Sequence, residues 1–159
     1  MVEQPAASVA VRQSAVVAVP PARAFAVFTE QMSSWWPLET HTIGAAPAAA
    51  TGIEPHEGGR WYERAADGSE CDWGRVLAWE PPHRVVLAWQ ISADWQADPE
   101  LHTEVEVRFE PEGEGRTRVE LEHRGLEAFG ARTDEMRGVF GSEGGWPGLL
   151  HRFGAAAEA

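Results

Sequence analysis

The sequence contains no lysine: its 13 basic residues are all arginine. Schiff-base chemistry on a lysine amine is therefore excluded, as is a lysine phosphate clamp. There is one cysteine, Cys71, so no disulfide can close within the chain. With no base nearby in the sequence, that thiol reads as a small apolar side chain, and the usage fits a reducing cytoplasm. Basic charge is scarce as well: 13 bases stand against 25 acids, for a net charge of −12. Such a surface repels phosphate backbones, so nucleic acid is not an expected partner. No apolar run approaches the roughly 20 residues of a membrane span. The opening Met1-Val2-Glu3-Gln4-Pro5 places an acid where a secretory signal carries bases. Metal-ligand spacing is missing too. The six histidines lie far apart, without His-x-His or His-Glu-x-x-His, and neither Gly-x-Ser-x-Gly nor a phosphate loop occurs. No metal and no cofactor is expected.

What the chain has in excess is tryptophan. Its eight are Trp35, Trp36, Trp61, Trp73, Trp79, Trp89, Trp95 and Trp146. Large aromatics fill cores, but they also wall cavities, because each covers much area at little rotamer entropy. Their spread along most of the chain favours a cavity shared by several elements.

Periodicity gives the order of elements. Residues 11–19 are strand-prone and stop at Pro20-Pro21. Ala24, Phe25, Val27 and Phe28 follow at helical spacing, with Pro21 suited to the first turn. A second short helix is predicted at Met32 to Trp36, then a loop over 38–51 and a strand over Thr51 to Pro55. Strands are predicted at Arg60 to Arg64, Cys71 to Trp79 and Val85 to Ile91, with Asp67-Gly68 marking a hairpin. A polar loop spans 92–101. In His102 to Phe109, Thr103, Val105, Val107 and Phe109 share one face. In Arg116 to His123, Thr117, Val119, Leu121 and His123 do the same, opposite charged outer faces. Beyond Gly125 the pattern is helical but broken by glycines. Trp146, Leu149, Leu150 and Phe153 then form one apolar stripe on a final helix. Gly144-Gly145 breaks the chain before it and offers freedom for it to move as a gate. The reading is a flexible tail over 1–9 and one α+β domain over 10–159.

Particular runs carry a resemblance. They are Trp35-Trp36-Pro37-Leu38-Glu39-Thr40-His41, Glu54-Pro55-His56-Glu57-Gly58-Gly59-Arg60-Trp61-Tyr62-Glu63, and Trp73-Gly74-Arg75-Val76-Leu77-Ala78-Trp79-Glu80-Pro81-Pro82. Val85-Val86-Leu87-Ala88-Trp89, Leu121-Glu122-His123-Arg124-Gly125-Leu126 and Gly145-Trp146 follow. In this order the chain, over roughly residues 12–155, resembles the START-like (SRPBCC) superfamily. It is most similar to the branch of homologues of the activator of the ninety-kilodalton heat-shock protein's ATPase. The resemblance implies a helix-grip (Bet v-like) fold. A curved antiparallel sheet wraps a long C-terminal helix, two short helices lie between the first two strands, and a cavity separates sheet and helix. The superfamily holds lipid carriers, hormone receptors, cyclases and chaperone activators, so fold does not give function.

Three functions follow from these residues. The first is binding of a small hydrophobic or aromatic molecule, with Trp36, Trp61, Trp73, Trp89, His123, Trp146 and Phe153 in the cavity wall. The second is a cyclase- or hydrolase-type enzyme using His123 or His41 as acid or base. The third is a protein-interaction domain, serving a chaperone or a second copy of the chain. It calls for an exposed aromatic patch at Trp35, Trp36 and Trp95. His102 falls on a charged face, and His56, His83 and His151 read as solvent-exposed. Arg60, Tyr62 and Arg64 share one strand face and Trp61 and Glu63 the other. Arg75 alternates with Leu77 and Trp79. Which faces point inward is left open by alternation alone.

Overall fold

The computed structural model describes residues 9–159. Seven strands form one antiparallel sheet: β1 (Ala10–Val17), β2 (Ala48–Ile53), β3 (Arg60–Ala65), β4 (Glu70–Glu80), β5 (Arg84–Trp89), β6 (Thr103–Pro111) and β7 (Thr117–Arg124). Their order across the sheet is β1-β7-β6-β5-β4-β3-β2. Helix α1 (Pro21–Thr29) and a 3-10 turn (Met32–Ser34) lie between β1 and β2. A second 3-10 stretch (Leu126–Arg132), α2 (Thr133–Phe140) and α3 (Trp146–Glu158) follow β7. This is the curved α+β arrangement of a helix-grip fold. Of the tail expected over 1–9, only Val9 lies within the described residues. There it is anchored, its amide donating to Glu127 and its carbonyl accepting from the Leu126 amide.

The sheet is amphipathic because its strands alternate. Val105 pairs with His123, Val107 with Leu121 and Phe109 with Val119, and all six side chains are buried. The opposite face carries charge. Glu106 accepts from Arg84 and Arg124, and Arg12 meets Glu122 at 2.6 Å. Burial works to raise the Glu106 carboxyl, but the hydrogen bonds from Arg84 and Arg124 outweigh it and hold it at about 2. The Arg60–Tyr62–Arg64 face proves to be the outer one. Arg60 reaches Glu54, Glu70 and Asp72, while Trp61 and Glu63 point into the core. Arg75 and Leu77 also lie outside, but a bulge between Val76 and Ala78 breaks the alternation. Trp79 is thereby turned onto Phe25, at 5.0 Å between ring centres.

Strand β2 begins earlier than its composition suggests. The alanines of 48–50, expected in a loop, pair with Arg64 and Ala65 across a bulge. Alanine is a poor strand former, so pairing rather than propensity places it there. β2 is an edge, and Ser33 closes part of it. The Ser33 hydroxyl accepts from the Thr51 amide at 2.9 Å and donates to the Thr51 carbonyl at 2.8 Å. Ser33→Ala should leave both groups without that partner and cost about 1 kcal/mol. Urea unfolding checks the loss, and faster exchange of the Thr51 amide should accompany it.

Helix α3 spans 13 residues, about 20 Å at helical rise. Its stripe of Trp146, Leu149, Leu150, Phe153 and Ala157 is buried. The space between α3 and the sheet is filled rather than open. Phe153 meets Phe28 at 5.4 Å and Trp35 at 5.6 Å, and Phe28 meets Phe109 at 5.9 Å. Aromatic packing at that end moves the open volume to the N-terminal end of α3.

Candidate functional site

The cavity there measures about 470 Å³. Three parts of the chain enclose it. The loop 37–44 supplies Thr40, His41, Thr42 and Ile43, with Trp36 just before it. The end of α2 and the start of α3 supply Val139, Phe140, Ser142, Gly144, Gly145, Trp146 and Leu149. The sheet end supplies Trp89, and the 92–96 turn supplies Trp95. No lining side chain is charged in the form of an acid, arginine or lysine.

Of the wall residues expected from sequence, Trp36, Trp89 and Trp146 line this cavity. Trp61, Trp73, Phe153 and His123 do not; all four are buried. Phe153 packs on Phe28 and Trp35 at the filled end of α3, whereas the other three touch the wall from behind. Trp73 packs on Trp36 at 5.1 Å and Trp61 on Trp89 at 5.6 Å.

His123 has no exposed surface. The Trp146 indole donates to its Nδ1 at 3.1 Å, since an indole nitrogen can only donate. Its Nε2 therefore carries the proton and donates to Thr103 Oγ1 at 3.1 Å, whose own proton goes to the Trp89 carbonyl at 2.8 Å. Burial holds the imidazole at about 3, so it is neutral across the physiological range. His123 thus ties Trp146 to the segment carrying Trp89 and makes no contact with the open volume. Of the two histidines considered for an acid–base role, His41 lines the cavity and His123 does not.

His41 stands at the rim, its Nε2 on the Gly144 carbonyl at 2.7 Å and its Nδ1 on Thr40 Oγ1 at 2.6 Å. Its carbonyl accepts from the Trp36 indole at 2.8 Å. The Nε2 bond spans the two loops across the mouth. The other end of loop 37–44 is held by a residue that sequence reading did not single out. Glu63, buried on β3, accepts from the Ile43 amide at 2.7 Å, the Gly44 amide at 3.0 Å and the Trp73 indole at 2.7 Å. The available signal was its place in register with Trp61, an acid at an inward position. Gly145 is required where it stands, because a Cβ there would lie 2.4 Å from the Val139 and Phe140 carbonyls. Among the described residues, no group of three or more His, Cys, Asp or Glu comes together as a metal site.

The aromatic patch expected for a protein partner does not form from Trp35 and Trp36, which are buried; Trp95 alone of the three is exposed, at 44%. Trp95 sits at φ 61°, in the left-handed region that costs a non-glycine residue roughly 1–2 kcal/mol. The turn is fixed by Trp95 N to Ser92 O at 2.9 Å and Ser92 N to Gln96 O at 2.8 Å.

Residues 18–158 match the family described as Activator of Hsp90 ATPase homolog 1-like protein. The chain belongs to that family. Among solved structures similar to this family member is an anthrahydroquino-gamma-pyrone synthase, Txn09, complexed with SUM. It is 39% identical, with a TM-score of 0.64, over 96% of this chain and 99% of that one. Another is CalC from Micromonospora echinospora, described as a self-sacrificing resistance protein. It is 30% identical with a TM-score of 0.67, over 93% of each chain. Protein MLL2253 from Mesorhizobium loti, 19% identical with a TM-score of 0.66 over 92% and 94%, shares the fold. No curated protein matches the chain significantly. Membership of the Hsp90-ATPase-activator-homologue family thus agrees with the helix-grip fold and its cavity. No helix among the described residues is long and apolar enough to cross a membrane.

Proposed function

We propose that the cavity binds one small, neutral, fused-ring aromatic molecule. The observation that carries this is the wall: Trp36, Trp89, Trp146 and Phe140 around about 470 Å³, with no charged acid or arginine among the lining residues. That volume lies in the range of small-molecule pockets, roughly 300–1,000 Å³. Aromatic walls contribute about 25 cal/mol per Å² of apolar surface covered, before association costs. Thr40, Thr42, Ser142 and His41 at the rim supply the few polar groups that orient such a ligand. The 39% identity to a synthase whose name specifies an anthrahydroquino-pyrone makes a fused polycycle the first class to test.

Native mass spectrometry with added dihydroxyanthraquinone should show one molecule per chain. Val139→Trp, which fills the cavity from α2, should abolish the adduct. No adduct on the unaltered protein, or an adduct indifferent to Val139→Trp, would overturn the proposal.

The likeness to a synthase also favours a second reading, turnover of the bound aromatic with His41 as acid–base group. In that case His41→Ala removes turnover while dihydroxyanthraquinone still binds.

A further inference from the structure

Six of the eight tryptophans are buried: Trp35, Trp36, Trp61, Trp73, Trp89 and Trp146. Each of their indole nitrogens donates to a protein acceptor. Trp95 departs from that pattern in three ways at once, in exposure, indole pairing and backbone, while sharing the cavity with Trp36, Trp89 and Trp146. It is the most exposed tryptophan, at 44%. Its indole nitrogen meets no acceptor among the described residues. Its backbone occupies a left-handed conformation that glycine or asparagine fills at less cost. It lines the cavity mouth, where its one ring neighbour is Phe140, edge-on at 6.5 Å. Folding alone gains little from a bulky ring placed this way, whereas a ligand entering the cavity would cover the ring and meet the free indole N–H.

From this placement we infer that Trp95 is the specificity-determining residue of the cavity, a lid whose ring edge closes on the bound aromatic and donates its indole N–H to a ligand oxygen. The ligand class this selects is an aromatic bearing a carbonyl or quinone oxygen on its outward edge. The inference rests on the binding function proposed above. An oxygen acceptor is needed because an indole nitrogen can only donate. An edge or face contact with an aromatic ring adds affinity beyond area burial.

The test uses ¹⁵N-labelled protein and dihydroxyanthraquinone as the probe. The Trp95 indole signal is identified by its absence from Trp95→Phe. On addition of the probe it should shift more than the signals of Trp35, Trp61 and Trp73. Its proton exchange should slow about tenfold as the N–H finds an acceptor. Trp95→Gly, which suits the left-handed backbone, should bind the probe at least about tenfold more weakly, and Trp95→Phe should recover most of the ring contribution. If the unaltered protein binds the probe while the Trp95 indole neither shifts nor gains protection, the inference is overturned and the cavity function stands. Equal affinity in Trp95→Gly has the same meaning. If the unaltered protein binds no probe, the cavity function fails and this inference with it.

Discussion

Replacing Glu63 with alanine should cost about 3 kcal/mol, because it leaves the buried Trp73 indole N–H and two part-buried amides without an acceptor, at about 1–3 kcal/mol for the indole and about 0.5–1.5 kcal/mol for each amide. Those groups are the Ile43 and Gly44 amides and the Trp73 indole. Two of the three belong to the loop that covers the cavity, so the loss is local as well as global. Amide exchange at Ile43 and Gly44 should accelerate more than exchange in β6 and β7. Glu63→Gln should be milder. Its carbonyl oxygen can still serve Ile43 and Trp73, but its amide group turns a donor toward the Gly44 N–H. Equilibrium unfolding measures both variants. A loss under about 1 kcal/mol for Glu63→Ala would show that water or a shifted loop replaces the carboxylate.

Acidification should destabilise the protein through His123 before any carboxylate contributes. The imidazole is held at about 3 in the folded state by burial, against its ordinary 6.5. Above pH 6.5 both states are neutral and the residue adds no pH dependence. Below it, only the unfolded chain takes the proton, so stability falls by about 1.4 kcal/mol per pH unit until the folded value is reached. Between pH 6.5 and 4.5 this amounts to about 2–3 kcal/mol. Glu106 acts in a lower window: its stabilisation is present above 4.5 and is lost as pH falls toward about 2. His123→Asn keeps a polar group between Trp146 and Thr103 but cannot titrate. It should be less stable at pH 7 and should lose most of the slope between pH 6.5 and 4.5. Urea unfolding at several pH values tests this, and an unchanged slope would place the titration elsewhere.

The parts legible in sequence are those where one residue type repeats on a fixed period. β6 and β7 were readable because Val105, Val107 and Phe109, then Val119 and Leu121, alternate with charge. The stripe of α3 was readable because Trp146, Leu149, Leu150 and Phe153 recur at helical spacing. The alternation that placed His123 inward was right about direction and silent about depth. Nothing in the local sequence tells that Trp146 and Thr103 would occupy both its nitrogens. Trp61, Trp73 and Phe153 show the same limit. A pattern separates inside from outside, but whether an inward ring meets another ring or a void depends on packing between distant elements. Bulges are equally silent, which is why Trp79 left the face that Arg75 and Leu77 share. Glu63 and Trp95 were readable only as exceptions, an acid at an inward position and a tryptophan in a polar loop.

The most direct test of the cavity's role is a crystal structure of the protein with dihydroxyanthraquinone. The expected result is one molecule between Trp36, Trp89 and Trp146, with its outer edge under Trp95 and an oxygen within reach of the 40–42 rim. A molecule bound instead on the charged outer face of the sheet, or a cavity left empty at saturating probe, would contradict it.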